Sequence, residues 1–111
     1  MNDPAAALAA LVWCPFPDRD SAQRAATALL DARLIACANI APGIESLFNW
    51  RGERGAQAEC GVVFKTAAAR LDAAMAALVA LHPYETPAVS GWTVTADPGT
   101  IRWLEEETRP A

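Results

Sequence analysis

Residues 36–65, ACANIAPGIESLFNWRGERGAQAECGVVFK, contain two strand-like segments in tandem, and this pairing decides the fold. Apolar residues are concentrated in both segments, and the charged, Gly-containing stretch between them is typical of a hairpin tip. Pro42-Gly43 interrupts the first segment and indicates a turn or a bulge within it. The predicted elements are a first strand in two pieces, 36–40 and 44–50, a tip at 51–55 and a return strand at 58–65.

A strand followed by a helix is predicted before this hairpin. Residues 7–14 are apolar throughout and are stopped by Pro15, so they predict a short buried strand. Asp18 and Asp20 are candidate N-caps of the helix that follows. The helix carries an apolar stripe at helical spacing, formed by Ala22, Ala25, Ala26, Leu29 and Leu30.

A helix and a strand are predicted after the hairpin. Thr66 is expected to cap a helix over 67–81, and a last strand is expected over 88–95. Asp97 and Pro98 have the residue types preferred at the N-cap and first position of a short terminal helix. The predicted buried face of the second helix consists of Leu71, Ala74, Met75, Leu78 and Val79.

The predicted order is therefore β-α-β-β-α-β with a C-terminal helix, within a single domain that spans residues 1–111. This order is that of the α+β, ferredoxin-like split βαβ fold, in which two helices cover one face of an antiparallel sheet. The other face would be bare in a monomer, although Val62, Val63 and Phe64 place apolar side chains on both faces. The four tryptophans also fit an interface, so a homo-oligomer is expected.

The overall charge argues against nucleic acid as a partner. A formal charge of −4 gives no general support for binding a phosphate backbone. No apolar stretch approaches the length of a membrane span. The apolar start of the chain carries Asp3 and lacks a basic region, unlike a secretory leader, so a cytoplasmic protein is expected.

His82, in the stretch His82-Pro83-Tyr84-Glu85, is the only histidine in the chain. Pro83 disfavours a helical conformation at His82 and is expected to end the helix there. The imidazole is then held at a fixed corner beside a phenol and a carboxylate, where it would act as a metal ligand or a proton switch. The alternative is an ordinary partner for the helix dipole at the end of the helix.

The three cysteines do not form a recognisable framework. Their number is odd and no CxxC pair is present, which supports neither paired disulfides nor a zinc finger. Cys37 and Cys60 are expected to be small buried hydrophobic residues. Cys14 precedes Pro15 at an expected strand end, where its thiol would be able to face a cleft.

A second group of side chains is a candidate for binding a small molecule. Lys65, Tyr84 and Glu85, together with Asn39 and Trp50, would give a cleft a cation, a phenol, a carboxylate, an amide and an aromatic wall. This mixture suits an anionic or zwitterionic ligand. The alternative is a solvated Lys65 and a Glu85 that pairs with an arginine across an interface.

The ordered set of motifs resembles the CutA family of divalent-cation tolerance proteins over almost the whole chain, from about Val12 to Thr108. The matching segments are Cys14, PDRDSA at 17–22, RLIACANI at 33–40, Pro42-Gly43, LFNWRG at 47–52, FKT at 64–66, HPYETP at 82–87 and Trp103-Leu104. The resemblance implies a compact trimer of ferredoxin-like subunits, similar in architecture to the PII signalling trimers, which bind small ligands between subunits.

The resemblance also implies a metal site. Where copper ligands are proposed in the family, they are a cysteine at the end of the first strand and histidine at the end of the second helix, which correspond to Cys14 and His82. Leu81 stands where some members have a second histidine, so weak binding of copper(II) or another divalent cation is expected, with Glu85 as a further oxygen ligand. The alternative is a PII-like protein that binds a small molecule between subunits. No nucleophile or phosphate-loop motif supports an enzyme.

Overall fold

A computed structural model describes residues 8–111 of the chain. A single 3₁₀ turn, Ala68–Arg70, precedes the second helix. The elements in chain order are β1 (Leu8–Phe16), α1 (Arg19–Asp31), β2 (Cys37–Trp50), β3 (Glu53–Ala67), α2 (Leu71–Leu81), β4 (Ser90–Thr95) and α3 (Pro98–Glu107). The predicted element order is confirmed, while Ala7 of the first predicted strand lies outside the described residues.

The four strands form one antiparallel sheet in the order β2-β3-β1-β4, so the predicted α+β, split βαβ topology is confirmed. The predicted hairpin tip at 51–55 is wrong in length. Pairing resumes at Trp50 and Glu53, because Arg51 and Gly52 alone make the turn with φ values of 52° and 82°. Positive φ at both central residues is the conformation of a type I′ turn, which matches the twist of the flanking strands.

The predicted interruption of β2 is a bulge. The register moves from Ala41 opposite Gly61 to Ile44 opposite Glu59, which leaves one extra residue in β2. Because side chains alternate between faces, the extra residue reverses which β2 positions share a face with Glu59 and Gly61. After the bulge, the even-numbered residues Ile44, Ser46, Phe48 and Trp50 lie on that face.

The end of β1, the start of α2 and the start of β4 differ from the predictions. β1 continues through Pro15 to Phe16. Because β4 pairs with β1 only as far as Trp13, the last residues of β1 lie at the edge of the sheet, where the missing N–H of a proline is tolerated. Thr66 belongs to β3 and does not cap a helix; its hydroxyl donates to the carbonyl of Leu34 at 2.8 Å. The predicted Asp18 cap is confirmed, since its carboxylate accepts from the amide of Ser21 at 2.8 Å.

The main core lies between the sheet and the helices α1 and α2. Alternate residues of β1 and β3 face it, and the alanines of α1 let this helix approach the sheet closely. The predicted face of α2 is only partly correct, because Val79 is 52% exposed. The main core contains Val12, Cys14, Phe16, Ala22, Ala25, Ala26, Leu29, Ile35, Cys60, Val62, Phe64, Ala74 and Leu78.

A helix covers the opposite face of the sheet only at one end. Ala9 and Ala67, register partners on this face, are buried, and α3 contacts both of their strands. The long β2–β3 hairpin contributes to overall dimensions of 51 × 27 × 22 Å for the described residues. Within 8–111, no helix combines the length and the apolar character needed to cross a bilayer.

The hydrogen bond of Thr66 provides a stability test of this arrangement. Thr66→Val keeps the side-chain volume but removes the hydroxyl that satisfies the Leu34 carbonyl. We expect a loss of about 1–3 kcal/mol in the free energy of unfolding, measured by urea titration at fixed protein concentration. Thr27→Val, at an exposed site on α1, is the matched control and should change it by less than about 0.5 kcal/mol. Equal losses of unfolding free energy in both variants would contradict a stabilising hydrogen bond between Thr66 and Leu34.

Candidate functional site

The end of α2 is fixed against the end of β1 by His82. Its backbone has left the helical region, with φ −71° and ψ 141°, as the following Pro83 requires. The ring is 7% exposed and stacks on Phe16, with the ring centroids 4.4 Å apart. Nε2 lies 2.8 Å from the carbonyl oxygen of Pro15, so the imidazole joins two elements that are distant in sequence.

Both ring nitrogens of His82 have a hydrogen-bond partner. The Pro15 carbonyl can only accept, so Nε2 must donate to it. The backbone N–H of Tyr84 lies 3.1 Å from Nδ1 and can only donate, so Nδ1 must accept. Only the neutral imidazole with its proton on Nε2 satisfies both contacts.

Cys14 meets the same carbonyl oxygen. Its thiol donates weakly to Pro15 O, with Sγ 3.6 Å from the oxygen. The sulfur of Cys14 and Nε2 of His82 therefore approach the same oxygen atom. Cys14 is fully buried, and this burial, followed by the charge of Glu59, raises the pKa of its thiol to about 12. The thiol is protonated at neutral pH.

Tyr84 forms the centre of a second polar group, next to the contacts that Cys14 and His82 make with Pro15. Its hydroxyl donates to Glu59 Oε2 at 2.7 Å and accepts from Gln57 Nε2 at 2.6 Å. Burial and then the Glu59 carboxylate raise the pKa of Tyr84 to about 12, so the phenol remains a donor at neutral pH. Glu59 itself is only 8% exposed.

A cleft of about 690 Å³ opens beside this group, between the β2–β3 hairpin and the segment that follows α2. The bulge in β2 makes the cleft possible, because it turns Phe48 and Trp50 to the face that carries Glu59. The Phe48 ring lies across Gly55, where a Cβ would collide with it. The lining residues are Pro15, Ser46, Phe48, Asn49, Trp50, Gln57, Glu59, Pro83, Tyr84, Glu85, Thr86 and Ala88.

The structure brings together some of the residues singled out from the sequence. Trp50, Tyr84 and Glu85 line the cleft, whereas Asn39 and Lys65 are not among its lining residues in the single chain. Lys65 is half-buried on β3 and Asn39 is exposed on β2, both away from the hairpin tip. Glu85 pairs with Arg51 at 3.4 Å, an exposed ion pair of small energetic value.

Sequence reasoning missed the two polar residues at the centre of the cleft. Gln57 and Glu59 lie two positions apart on β3 and therefore point to the same face. Their alternation with Ala56 and Ala58 was a signal of this shared face. Neither the burial of Glu59 nor its hydrogen bond from Tyr84 is visible in the sequence, because the two residues are brought together by the fold.

Two kinds of chemistry are available at this end of the molecule. Cys14, His82 and the Pro15 carbonyl offer sulfur, nitrogen and oxygen donors to a soft or borderline cation. Within residues 8–111, no group of three or more His, Cys, Asp or Glu side chains is arranged to hold a metal ion. The cleft next to them offers aromatic walls and carboxylates to a small molecule.

The sequence matches known proteins over nearly its whole length. Residues 10–107 match the family model described as CutA1 divalent ion tolerance protein. A divalent-cation tolerance protein CutA of Pectobacterium atrosepticum is 34% identical over 110 residues, which cover 98% of this chain and 100% of the relative.

Solved structures agree with the sequence match. CutA1 from Oryza sativa superposes with a TM-score of 0.86 at 30% identity, covering 96% of this chain and 99% of that one. CutA1 from Ehrlichia chaffeensis gives 0.85 at 33% identity, covering 90% and 94%. A structure described as the periplasmic divalent cation tolerance protein CutA from Archaeoglobus fulgidus gives 0.85 at 27% identity, covering 91% and 99%. With this fold and this extent of sequence similarity, the chain belongs to the CutA1 divalent ion tolerance family.

Proposed function

We propose that this protein is a homotrimer that binds copper(II) or another divalent cation, with Cys14, His82 and Glu85 as the ligands. Membership of the divalent-cation tolerance family supports a role in metal tolerance. The proposed role is binding and involves no catalysis. The observation that carries the proposal is the convergence of Cys14 Sγ and His82 Nε2 on the carbonyl oxygen of Pro15.

This convergence favours a cation because both donors point their protons at one oxygen. A cation at this point would meet a thiolate, an imidazole nitrogen and a carbonyl oxygen: the Cys14 thiol would release its proton, and the Nε2 proton of His82 would move to Nδ1 at the expense of the bond from the Tyr84 amide. Sulfur and nitrogen ligands are preferred by copper and zinc. Pro15 O would thus add to the pair of ligands expected from the sequence.

The same contacts predict weak binding. The thiol, with its pKa raised to about 12, must lose its proton, and His82 must give up its bond to Pro15. Glu85 would have to leave Arg51 to reach a cation, so we expect its contribution to be small. Structural zinc sites usually have four protein ligands, and fewer than four side chains are in place here.

Titration of metal into ligand variants tests the proposal. Zinc(II), which is redox-inert, and copper(II) are titrated by calorimetry into the wild type, Cys14→Ala and His82→Gln. Each variant should lose about tenfold or more in affinity, because each removes one of the few ligands. Affinity in the wild type should rise about tenfold per pH unit from pH 6 to 8, since binding displaces one thiol proton.

Cys37→Ala is the matched control for this titration. Cys37, which was expected to be buried, is only half-buried and is therefore more accessible than Cys14, but it lies on β2 away from His82. Its removal should leave the affinity unchanged. Unaltered affinity in both Cys14→Ala and His82→Gln would reject these ligands, as would a loss in Cys37→Ala alone.

The trimer is proposed from the apolar surface that a single chain leaves exposed. Trp50, Trp92 and Trp103 are 46%, 44% and 41% exposed, and Leu47 on the hairpin is 70% exposed. Large exposed apolar areas mark interaction sites. β2 is also an edge strand of fourteen residues, with backbone groups free to pair with another chain.

Light scattering after size-exclusion chromatography tests the assembly. The wild type should have about three times the subunit mass of 11.8 kDa. Leu47→Lys should shift it towards smaller species, because a charge at a buried interface position is not solvated. Leu30→Lys, at a 44% exposed position on α1, should leave the mass unchanged. A monomeric wild type, or dissociation by Leu30→Lys alone, would contradict the proposed interface.

The cytoplasm remains our proposed location. Cys14, Cys37 and Cys60 are all free thiols, as is usual in a reducing compartment.

A second candidate function is that of a PII-like protein which binds a small molecule at the subunit interfaces. It is favoured by the cleft of about 690 Å³, whose volume is in the range of small-molecule sites. The cleft lies on the sheet face that the helices α1 and α2 leave open, so a neighbouring subunit would be able to complete it.

A further inference from the structure

We propose that the cleft beside Tyr84 binds a small organic cation, an ammonium group carried on an apolar body. The inference rests on the second candidate function and names the chemical class of its ligand. It follows from the charge of the cleft, the burial of one carboxylate and the aromatic walls. It involves neither Cys14 nor His82, which do not line the cleft.

The charged residues that line the cleft are both acidic. Among the described lining residues these are Glu59 and Glu85. Lys65, whose ammonium group would favour an anionic ligand, is not in the lining. Arg51 lies at the hairpin tip and pairs with Glu85 at 3.4 Å, which leaves Glu59 as the lining carboxylate that has no cationic partner among the described residues.

Glu59 is more than nine-tenths buried and has no cationic partner among residues 8–111. Tyr84 donates to Oε2, whereas no hydrogen bond from the described residues reaches Oε1. A cation entering the cleft would supply the counter-charge that this carboxylate lacks among the described residues.

Aromatic rings provide the remaining walls. The Phe48 ring lies across Gly55, and Trp50 and Tyr84 also line the cleft. The face of an aromatic ring attracts cations, Trp most strongly. Trp50 already has this contact, since the Arg51 guanidinium lies 5.2 Å from its ring centroid. An ammonium ligand would add a second cation–π contact to the charge of Glu59.

An organic cation fits these walls better than a metal ion does. A hard divalent cation requires six or more oxygen ligands or waters. The described residues contain no cluster of three ligating side chains here or elsewhere. The apolar surfaces of Pro15, Phe48 and Trp50 would bury an organic group but would contribute nothing to a metal.

Three ligands of similar size and different charge test the proposal at neutral pH and low salt. Benzylammonium, benzyl alcohol and benzoate are titrated into ¹⁵N-labelled full-length protein, and the tryptophan indole resonances are followed. Benzylammonium should bind about tenfold or more tightly than benzoate and should move the Trp50 signal, because a charge-assisted contact contributes about 1.5–3 kcal/mol.

Three variants locate the site. Glu59→Gln removes the charge but keeps the shape, and should weaken benzylammonium binding about tenfold. Trp50→Leu removes an aromatic wall of the cleft and, in protein whose mass by light scattering is unchanged, should weaken it several-fold. Glu45→Gln, on β2 but outside the cleft, is the matched control and should bind as the wild type does.

The outcomes separate the ligand class from the function on which it rests. Benzoate binding that is tighter than that of benzylammonium and lost in Trp50→Leu would overturn the cation proposal and leave the small-molecule function standing. Undiminished benzylammonium affinity in both Glu59→Gln and Trp50→Leu would overturn the proposed site. No binding by any of the three at millimolar concentration would count against both.

Discussion

The hydrogen bond from His82 Nε2 to the carbonyl oxygen of Pro15 is the contact on which the candidate site depends. It ties the end of α2 to the end of β1, and the stacking of His82 on Phe16 fixes the ring against the core. Because Tyr84 follows two residues later and donates its amide to the same ring, the phenol is held above Glu59. The His82 imidazole thus positions both the Cys14–His82 donor pair and Tyr84, which lines the cleft.

The bulge in β2 is the second constraint, and it acts on the hairpin. One extra residue between Ala41 and Ile44 moves each later β2 side chain to the opposite face of the sheet. Without it, Phe48 and Trp50 would lie on the side opposite to Glu59, and the cleft would lose its aromatic walls. The Cys14–His82 donor pair and the cleft both include Pro15, but they offer different chemistry. The pair offers sulfur and nitrogen donors, and the cleft offers aromatic rings with a carboxylate. Each therefore suits a different kind of cation.

The sequence predicts those features that depend on local chemistry. Pro83 places His82 at a helix end, Asp18 caps α1, and Pro42-Gly43 marks the bulge. Features that depend on contacts between distant residues are not predictable from one sequence. Thr66 has the residue type of a helix cap, yet its hydroxyl donates to the carbonyl of Leu34, 32 positions away. Likewise, the burial of Glu59 follows from register and from Tyr84, which no local pattern encodes.

The tautomer of His82 is the most direct test of this account. The chain has one histidine, so a long-range ¹H–¹⁵N spectrum of the metal-free protein contains one imidazole to assign. Nitrogen shifts distinguish a protonated ring nitrogen from an accepting one. The structure predicts a protonated Nε2 and an accepting Nδ1, held by Pro15 and by the amide of Tyr84. A proton on Nδ1, or shifts averaged between the two tautomers, would contradict the anchoring role of this ring.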